Sequence, residues 1–199
     1  KLRCNLAELR RDHLSNRWVI VNTDSPQTPS DFKREESILK KGPCPFCYGN
    51  EFMTPPEIEA IRHKDTAANS PGWLVRTVAN KFPALQIEGD LDRRGIGIYD
   101  ISNGIGAHEV IIETPYHNKS LTDLTNQEVK MIIDMYCRRA VDLQKDQRFK
   151  YILIFKNHGV SAGTTLEHPH TQLIALPMIP KNVLEELHGS QTYLEYRDR

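Results

Sequence analysis

The chain is 199 residues long, 39% apolar and 26% charged, the balance of an ordinary soluble protein with room for one good-sized core, or for one domain and the start of another. Its 26 Lys+Arg offset 26 Asp+Glu, so no net field draws it to nucleic acid or to a membrane surface. No apolar run reaches the ~18 residues of a membrane helix, and Lys1-Leu2-Arg3-Cys4 is not a secretion-type segment. A cytoplasmic enzyme or binding protein is the expectation.

Trp18-Val19-Ile20-Val21 predicts a first strand, with Arg10-Arg11-Asp12 and Ser15-Asn16 as turn material before it. Asp24 to Pro43, rich in Ser, Pro, Thr and charge, reads as a long surface loop. Thr54-Pro55-Pro56-Glu57-Ile58-Glu59 predicts a short helix opened by proline, followed by a loop over Arg62 to Gly72. Trp73 to Val78 alternates as a strand does. Ile96 to Ile101 and Ala107 to Glu113 read as paired strands joined through Asn103-Gly104. A long helix is predicted from about Asn126 to Lys145. Thr125 and Glu128 form its capping box, and Val129, Ile132, Ile133, Tyr136, Ala140 and Leu143 its core stripe. Tyr151 to Phe155 and Leu173 to Leu176 read as buried strands. Val183, Leu184, Leu187 and Tyr193 mark a second helix within Pro180 to Tyr196. An antiparallel sheet carrying one long helix gives an α+β domain.

Two stretches carry chemistry. Cys44-Pro45-Phe46-Cys47 sits among turn residues, with Gly49-Asn50 behind it. A metal site and a redox pair are both open to such a sequence. The absence of a strand-then-helix context favours metal. One pair supplies two ligands, so a tetrahedral ion needs two more donors, and histidine is the expected source. The second stretch is Gly163-Thr164-Thr165-Leu166-Glu167-His168-Pro169-His170-Thr171-Gln172. Pro169 pushes His168 out of the helical region, and in extended backbone residues two apart share a side. His168 and His170 are therefore expected to face one site, with Gln172 on the same face. A His-x-His is often mere surface or core histidine. A glycine and two hydroxyls upstream, where backbone could approach a phosphate, favour a phosphate-handling histidine.

Several segments in order resemble the galactose-1-phosphate uridylyltransferase family, a nucleotidyl transferase branch of the histidine-triad superfamily. They are Arg17 to Val21, Cys44 to Glu51, Thr54-Pro55-Pro56-Glu57, Asn80 to Leu85, His108 to Pro115, Phe155-Lys156-Asn157 and the histidine stretch. The resemblance implies a histidine-triad-like antiparallel half-barrel sheet with flanking helices, repeated twice in a longer polypeptide. Residues 1–179 would be an N-terminal nucleotidyl transferase domain, and 180–199 the start of a second repeat or a C-terminal helix. It implies that His170 attacks UDP-glucose and carries UMP as a uridylyl-histidine, from which galactose 1-phosphate takes it by double displacement. Gln172 would donate to the phosphoryl group, and Asn80, Asn157, Gly163, Thr164 and Thr165 would line the nucleotide and its phosphates. The implied cofactor is zinc, held by Cys44, Cys47, His117 and His168, with His108 left to ordinary packing. The implied assembly is a homodimer whose partners are a nucleotide sugar and a sugar phosphate.

The chain departs from the family in the loop after its first strand. Family members usually carry an Arg-x-x-Arg-Pro pattern there; this chain has Ser25-Pro26-Gln27-Thr28-Pro29, with no positive charge. A charge-assisted bond to phosphate is worth about 1.5–3 kcal/mol, so Lys81 or Lys156 would compensate or the substrate would differ. The alternatives are an AMP-transferring phosphorylase acting on ADP-glucose or a dinucleoside polyphosphate, and a catalytically inactive zinc-containing nucleotide-binding protein.

Overall fold

The computed structural model describes residues 8–12, 14–15, 18–21, 42–159, 162–164 and 166–197. The chain divides into two compact units, one formed by Lys1–Glu35 with Ile179–Arg199 and the other by Glu36–Met178. The smaller unit contains an antiparallel hairpin of β1 (Glu8–Arg11) and β2 (Trp18–Val21), and the helix α2 (Lys181–Arg197). Arg10 and Arg11, expected as turn material, belong to β1 because the ladder to β2 pairs Glu8 with Val21 and Arg11 with Trp18. Helix α2 passes the backbone of Leu14 at Gly189, where a Cβ would come within 1.7 Å of the Leu14 carbonyl oxygen. Among the described residues no helix is long and apolar enough to cross a membrane. Of the loop expected over 24–43, residues 24–41 lie outside the described residues.

The larger unit is built on a five-stranded sheet of β3 (Glu57–Arg62), β4 (Trp73–Ala79), β7 (Ala107–Ile112), β9 (His170–Leu176) and β8 (Tyr151–Phe155), in that spatial order and antiparallel throughout. Two expectations fail here. The helix expected at 54–59 is absent: Glu51–Met53 make one 3-10 turn, Thr54 is extended as a residue before proline must be, and Glu57 onward pairs with β4. The strand at 107–112 does not pair with the one before it. Instead β5 (Arg94–Ile96) and β6 (Tyr99–Ile101) form their own hairpin, turning at Gly97 with φ +61°, while β7 lies between β4 and β9. Asn103 is held back on residues 90–91, its N–H bonded to the Leu91 carbonyl at 2.8 Å and its amide to the Asp90 carbonyl at 2.9 Å.

Strand alternation gives the sheet two different faces. One carries Val75, Ala107, Ile111, Leu173 and Ala175, which pack on Ile132, Met135 and Leu143 of α1 (Asn126–Leu143). The helix starts as expected, with the Thr125 hydroxyl accepting from the Glu128 N–H and the Glu128 carboxylate accepting from the Thr125 N–H at 2.7 Å. Its buried stripe is Ile132, Met135, Arg139 and Leu143, rotated from the expected one, and Ile133 is exposed. The rotation follows from Arg139, which is buried because both carboxylate oxygens of Glu109 on β7 accept from it at 2.8 Å. The α+β class read from the sequence thus holds, with α1 covering one face. The other face carries His170 and Gln172, which pair with Ile112 and Val110.

Glu109→Gln is expected to cost about 3 kcal/mol in urea denaturation, at the low end for a broken buried pair because Asp142 and Glu59 stay within reach of Arg139. The cap sets an acid response. Hydrogen bonds from the Thr125 backbone, Lys119 and the Thr125 hydroxyl lower the Glu128 pKa from 4.5 to about 2. Its stabilisation is therefore present above pH 4.5 and lost as the pH falls toward 2. Glu128→Gln should flatten that part of the stability–pH curve, at a cost near ~1 kcal/mol at neutral pH.

Candidate functional site

The cysteine loop closes on itself by two turn bonds, from Cys47 N–H to the Cys44 carbonyl at 3.3 Å and from Asn50 N–H to the Cys47 carbonyl at 3.1 Å. Glu51 ties the loop to the start of β4. One carboxylate oxygen accepts from the Trp73 indole at 2.9 Å and the other from the Gly49 N–H at 3.0 Å, while the Tyr48 hydroxyl bonds the Trp73 carbonyl. Between the two cysteines, Phe46 is buried with its ring edge against both His168 and His170, at centroid distances of 6.0 and 5.3 Å. The four residues expected as metal ligands come together as expected: the donor atoms of Cys44, Cys47, His117 and His168 all lie within 4.8 Å of one another.

The spacing of these donors fits a tetrahedral ion. The His168 Nδ1 is 3.7 Å from the Cys44 sulfur and 3.6 Å from the Cys47 sulfur, and the His117 Nδ1 is 3.4 Å from the Cys47 sulfur. Zinc with bonds of ~2.3 Å to sulfur and ~2.0 Å to nitrogen has S–N edges of about 3.5 Å. The orientation of His168 fits as well. Its Nε2 lies 2.7 Å from the Thr114 carbonyl, which can only accept, so Nε2 carries the proton and Nδ1 presents its lone pair to the sulfurs. Burial lowers the His168 pKa to about 4, so the ring is neutral at neutral pH. Burial and the neighbouring Cys44 push the Cys47 thiol up to about 11, so an ion entering this site displaces its proton.

His170 opens β9 and takes the opposite tautomer. Its Nδ1 lies 2.8 Å from the carbonyl of His168, so Nδ1 holds the proton and the lone pair is on Nε2. Burial lowers its pKa, which keeps the ring neutral. Next to it, Thr171 points to the opposite face and donates at 2.5 Å to the buried carboxylate of Glu113, which also accepts from Tyr136 at 3.3 Å and pairs with Lys156. That pairing engages the Lys156 charge, while Lys81 is exposed on the turn after β4. Ser25-Pro26-Gln27-Thr28-Pro29 lies outside the described residues.

Gln172 is half-buried on the face of His170, with Asn80 3.4 Å away. Beyond β8, the Thr164 hydroxyl donates to the Asn157 carbonyl at 2.7 Å, and Gly163 holds φ +79°, a conformation open to glycine. Thr165 lies outside the described residues. His108, expected as packing, is instead within 2.8 Å of Gln172 and 3.0 Å of Asn80. Its signal was the alternation that places it two residues before Val110, but only the strand register shows that Val110 lies opposite Gln172.

This site lies on the fold of a known family. Residues 2–180 match the family model for the galactose-1-phosphate uridyl transferase N-terminal domain, and the chain belongs to that family. It is 34% identical over 193 residues to an ADP-glucose phosphorylase of Arabidopsis thaliana, covering 94% of this chain and 54% of that protein. It is 26% identical over 191 residues to a galactose-1-phosphate uridylyltransferase of Thermotoga maritima, covering 96% of this chain and 53% of that protein. The crystal structure of an Arabidopsis thaliana ADP-glucose phosphorylase with bound ADP-glucose superposes with a TM-score of 0.76 at 32% identity, over 98% of this chain and 56% of that one. The chain therefore spans about half the length of the relatives it matches.

The donor geometry makes a direct prediction. The metal-free protein should take up one equivalent of zinc, release protons on doing so, and unfold at higher temperature. Cys47→Ser should bind zinc at least tenfold more weakly, measured by competition with a chelator. Unchanged affinity in that variant would remove Cys47 from the ligand set.

Proposed function

We propose that the chain is the N-terminal half of a nucleotidyl transferase that works by double displacement through a nucleotidyl-His170 intermediate. The observation that carries this reading is the pair of opposed tautomers. The ring of His168 turns its lone pair toward the cysteines, and the ring of His170 holds its own on Nε2, with the proton tied to a backbone carbonyl. In the first half-reaction Nε2 attacks the α-phosphorus of a nucleoside-diphosphate sugar. A P–N bond forms, the P–O bond to the sugar phosphate breaks, and the sugar 1-phosphate leaves with the electron pair. In the second, an acceptor phosphate oxygen attacks the same phosphorus and the P–N electrons return to Nε2. The His168 carbonyl accepts from Nδ1–H throughout, and this bond strengthens as positive charge builds on the ring. Gln172 donates its amide to a phosphoryl oxygen. Asn80, Asn157, Gly163, Thr164 and Thr165 border the nucleotide and its phosphates.

Zinc is the ion that the two thiolates and two imidazoles of Cys44, Cys47, His117 and His168 would select. It would supply structural rigidity, fixing His168 and through its carbonyl the ring of His170. Residues 1–179 would then be the first repeat and 180–199 the opening of a second, in a protein that acts as a homodimer in the cytoplasm. The end of the family match at residue 180 supports that boundary.

Two donors fit this chemistry. ADP-glucose, with inorganic phosphate as acceptor, is supported by the 34% identity to the Arabidopsis thaliana phosphorylase. UDP-glucose, with galactose 1-phosphate as acceptor, is supported by the family itself and by the 26% identity to the Thermotoga maritima enzyme. The Ser25-Pro26-Gln27-Thr28-Pro29 sequence without positive charge and the higher identity to the phosphorylase favour ADP-glucose as the donor. Mass spectrometry of the full-length polypeptide after incubation with each nucleotide sugar tests both. The expected result is an adenylyl adduct on the peptide bearing His170, absent in His170→Asn while bound zinc is unchanged. A uridylyl adduct instead would select the second donor, and an adduct that survives His170→Asn would move the nucleophile elsewhere.

A further inference from the structure

The turn after β4, residues 80–85, reaches back to the site through two backbone N–H groups. The Phe82 N–H donates to the Asn80 side-chain oxygen at 3.0 Å, and the Ala84 N–H donates to His108 Nδ1 at 3.1 Å. Backbone N–H groups can only donate, so each removes an ambiguity. The Asn80 oxygen is committed, and its NH2 points the other way. His108 Nδ1 must be the bare nitrogen, so in the neutral ring the proton is on Nε2. That Nε2 lies 2.8 Å from Gln172 Oε1, and the Asn80 NH2 lies 3.4 Å from the same oxygen. The 3.0 Å between Asn80 Nδ2 and His108 Nε2 is then the approach of two donors that share one acceptor.

The alternative orientation of Gln172 is closed. Turning its NH2 toward His108 would set three donors against each other, with no acceptor among them. Held this way, the Gln172 oxygen is occupied, and among the described residues neither amide hydrogen has a partner, so both face what lies over this side of the sheet. His170 stands on the same face, two residues earlier on β9. All three side chains are half-buried, so water competes only partly for these bonds. The strand register supports the arrangement. Gln172 is opposite Val110 and His108 is opposite Ile174, which makes His108 and Gln172 diagonal neighbours on one side of the sheet.

We propose that His108 is a positioning residue whose Nε2–H, set by the Ala84 backbone, locks the Gln172 amide with its NH2 turned to the transferring phosphoryl group. The turn at 80–85 thereby presets a donor that would otherwise be free to flip, and a preset donor needs no reorganisation when charge develops. The proposal rests on the nucleotidyl transfer reading for the identity of the group that Gln172 meets, but the lock itself does not depend on it.

Two measurements on the full-length zinc-loaded protein test it separately. Nitrogen-15 NMR of the histidine rings should show His108 as the Nε2–H tautomer near neutral pH; the Nδ1–H tautomer would overturn the lock whatever the protein catalyses. In single-turnover labelling of His170 by ADP-glucose or UDP-glucose, His108→Phe should slow transfer about tenfold with little change in half-saturation, since a correctly aimed donor is worth ~10²–10³ and a free amide keeps part of that. His108→Gln, which returns an N–H near the place of Nε2, should restore most of the rate. In a Gln172→Ala background His108→Phe should cost nothing further. Full additivity of the two substitutions, or no rescue by Gln in a protein whose zinc content is normal, would overturn the assignment. If the unmodified protein takes no label from either nucleotide, the transfer reading fails, and the tautomer measurement still decides the lock.

Discussion

Everything at this site depends on two backbone carbonyls. Thr114 accepts from one ring nitrogen of His168, and His168 in turn accepts from the other kind of ring nitrogen on His170. Free imidazole exchanges its proton between the two nitrogens at little cost, so two adjacent histidines in solution would have no fixed division of labour. Here each carbonyl can only accept, and the chain path decides which nitrogen meets it. His168 is left with Nδ1 for the cysteine sulfurs and His170 with Nε2 for an electrophile. Two opposed ring orientations are thus set on either side of a single proline.

The sheet makes this separation possible. The Glu113 N–H bonds the Pro169 carbonyl, continuing the β7–β9 ladder past its last strand pair and bringing Thr114 to His168. On the opposite face, the buried Arg139–Glu109 pair ties α1 to β7 and fixes the strand whose other side carries His108. Such a pair adds little net stability over a well-packed apolar one, but an alternative packing of α1 would leave a charge buried and unpaired. The Glu113 cluster with Thr171, Tyr136 and Lys156 does the same for the start of β9. Both networks hold strands, and the strands hold the histidines.

Much of this was legible in the residues. The capping box at Thr125 and the strands around Trp73, Tyr151 and Leu173 each carry a local signal that the structure bears out, and the Cys-Pro-Phe-Cys loop meets two histidine rings, as a site short of two donors requires. What could not be read was non-local. The 107–112 strand is as apolar as its expected partner, and only long-range pairing places it between β4 and β9. Pro55-Pro56 followed by Glu-Ile-Glu suits a helix start as well as an edge strand, and the ladder to β4 decides. Arg139 looks like a solvent residue until Glu109 is seen opposite it. His108 is the clearest case: nothing near it in sequence names Gln172, 64 residues away, as its partner.

The assignment of the His170 nitrogens has a direct readout. If the nucleotidyl adduct is trapped on the full-length protein labelled with nitrogen-15 histidine, phosphorus-31 NMR reports which ring nitrogen bears the phosphorus. The expected bond is to Nε2 of His170, with Nδ1 still protonated and bound to the His168 carbonyl. Phosphorus on Nδ1 of that ring would contradict it, because that nitrogen could not then hold the proton on which the whole arrangement turns.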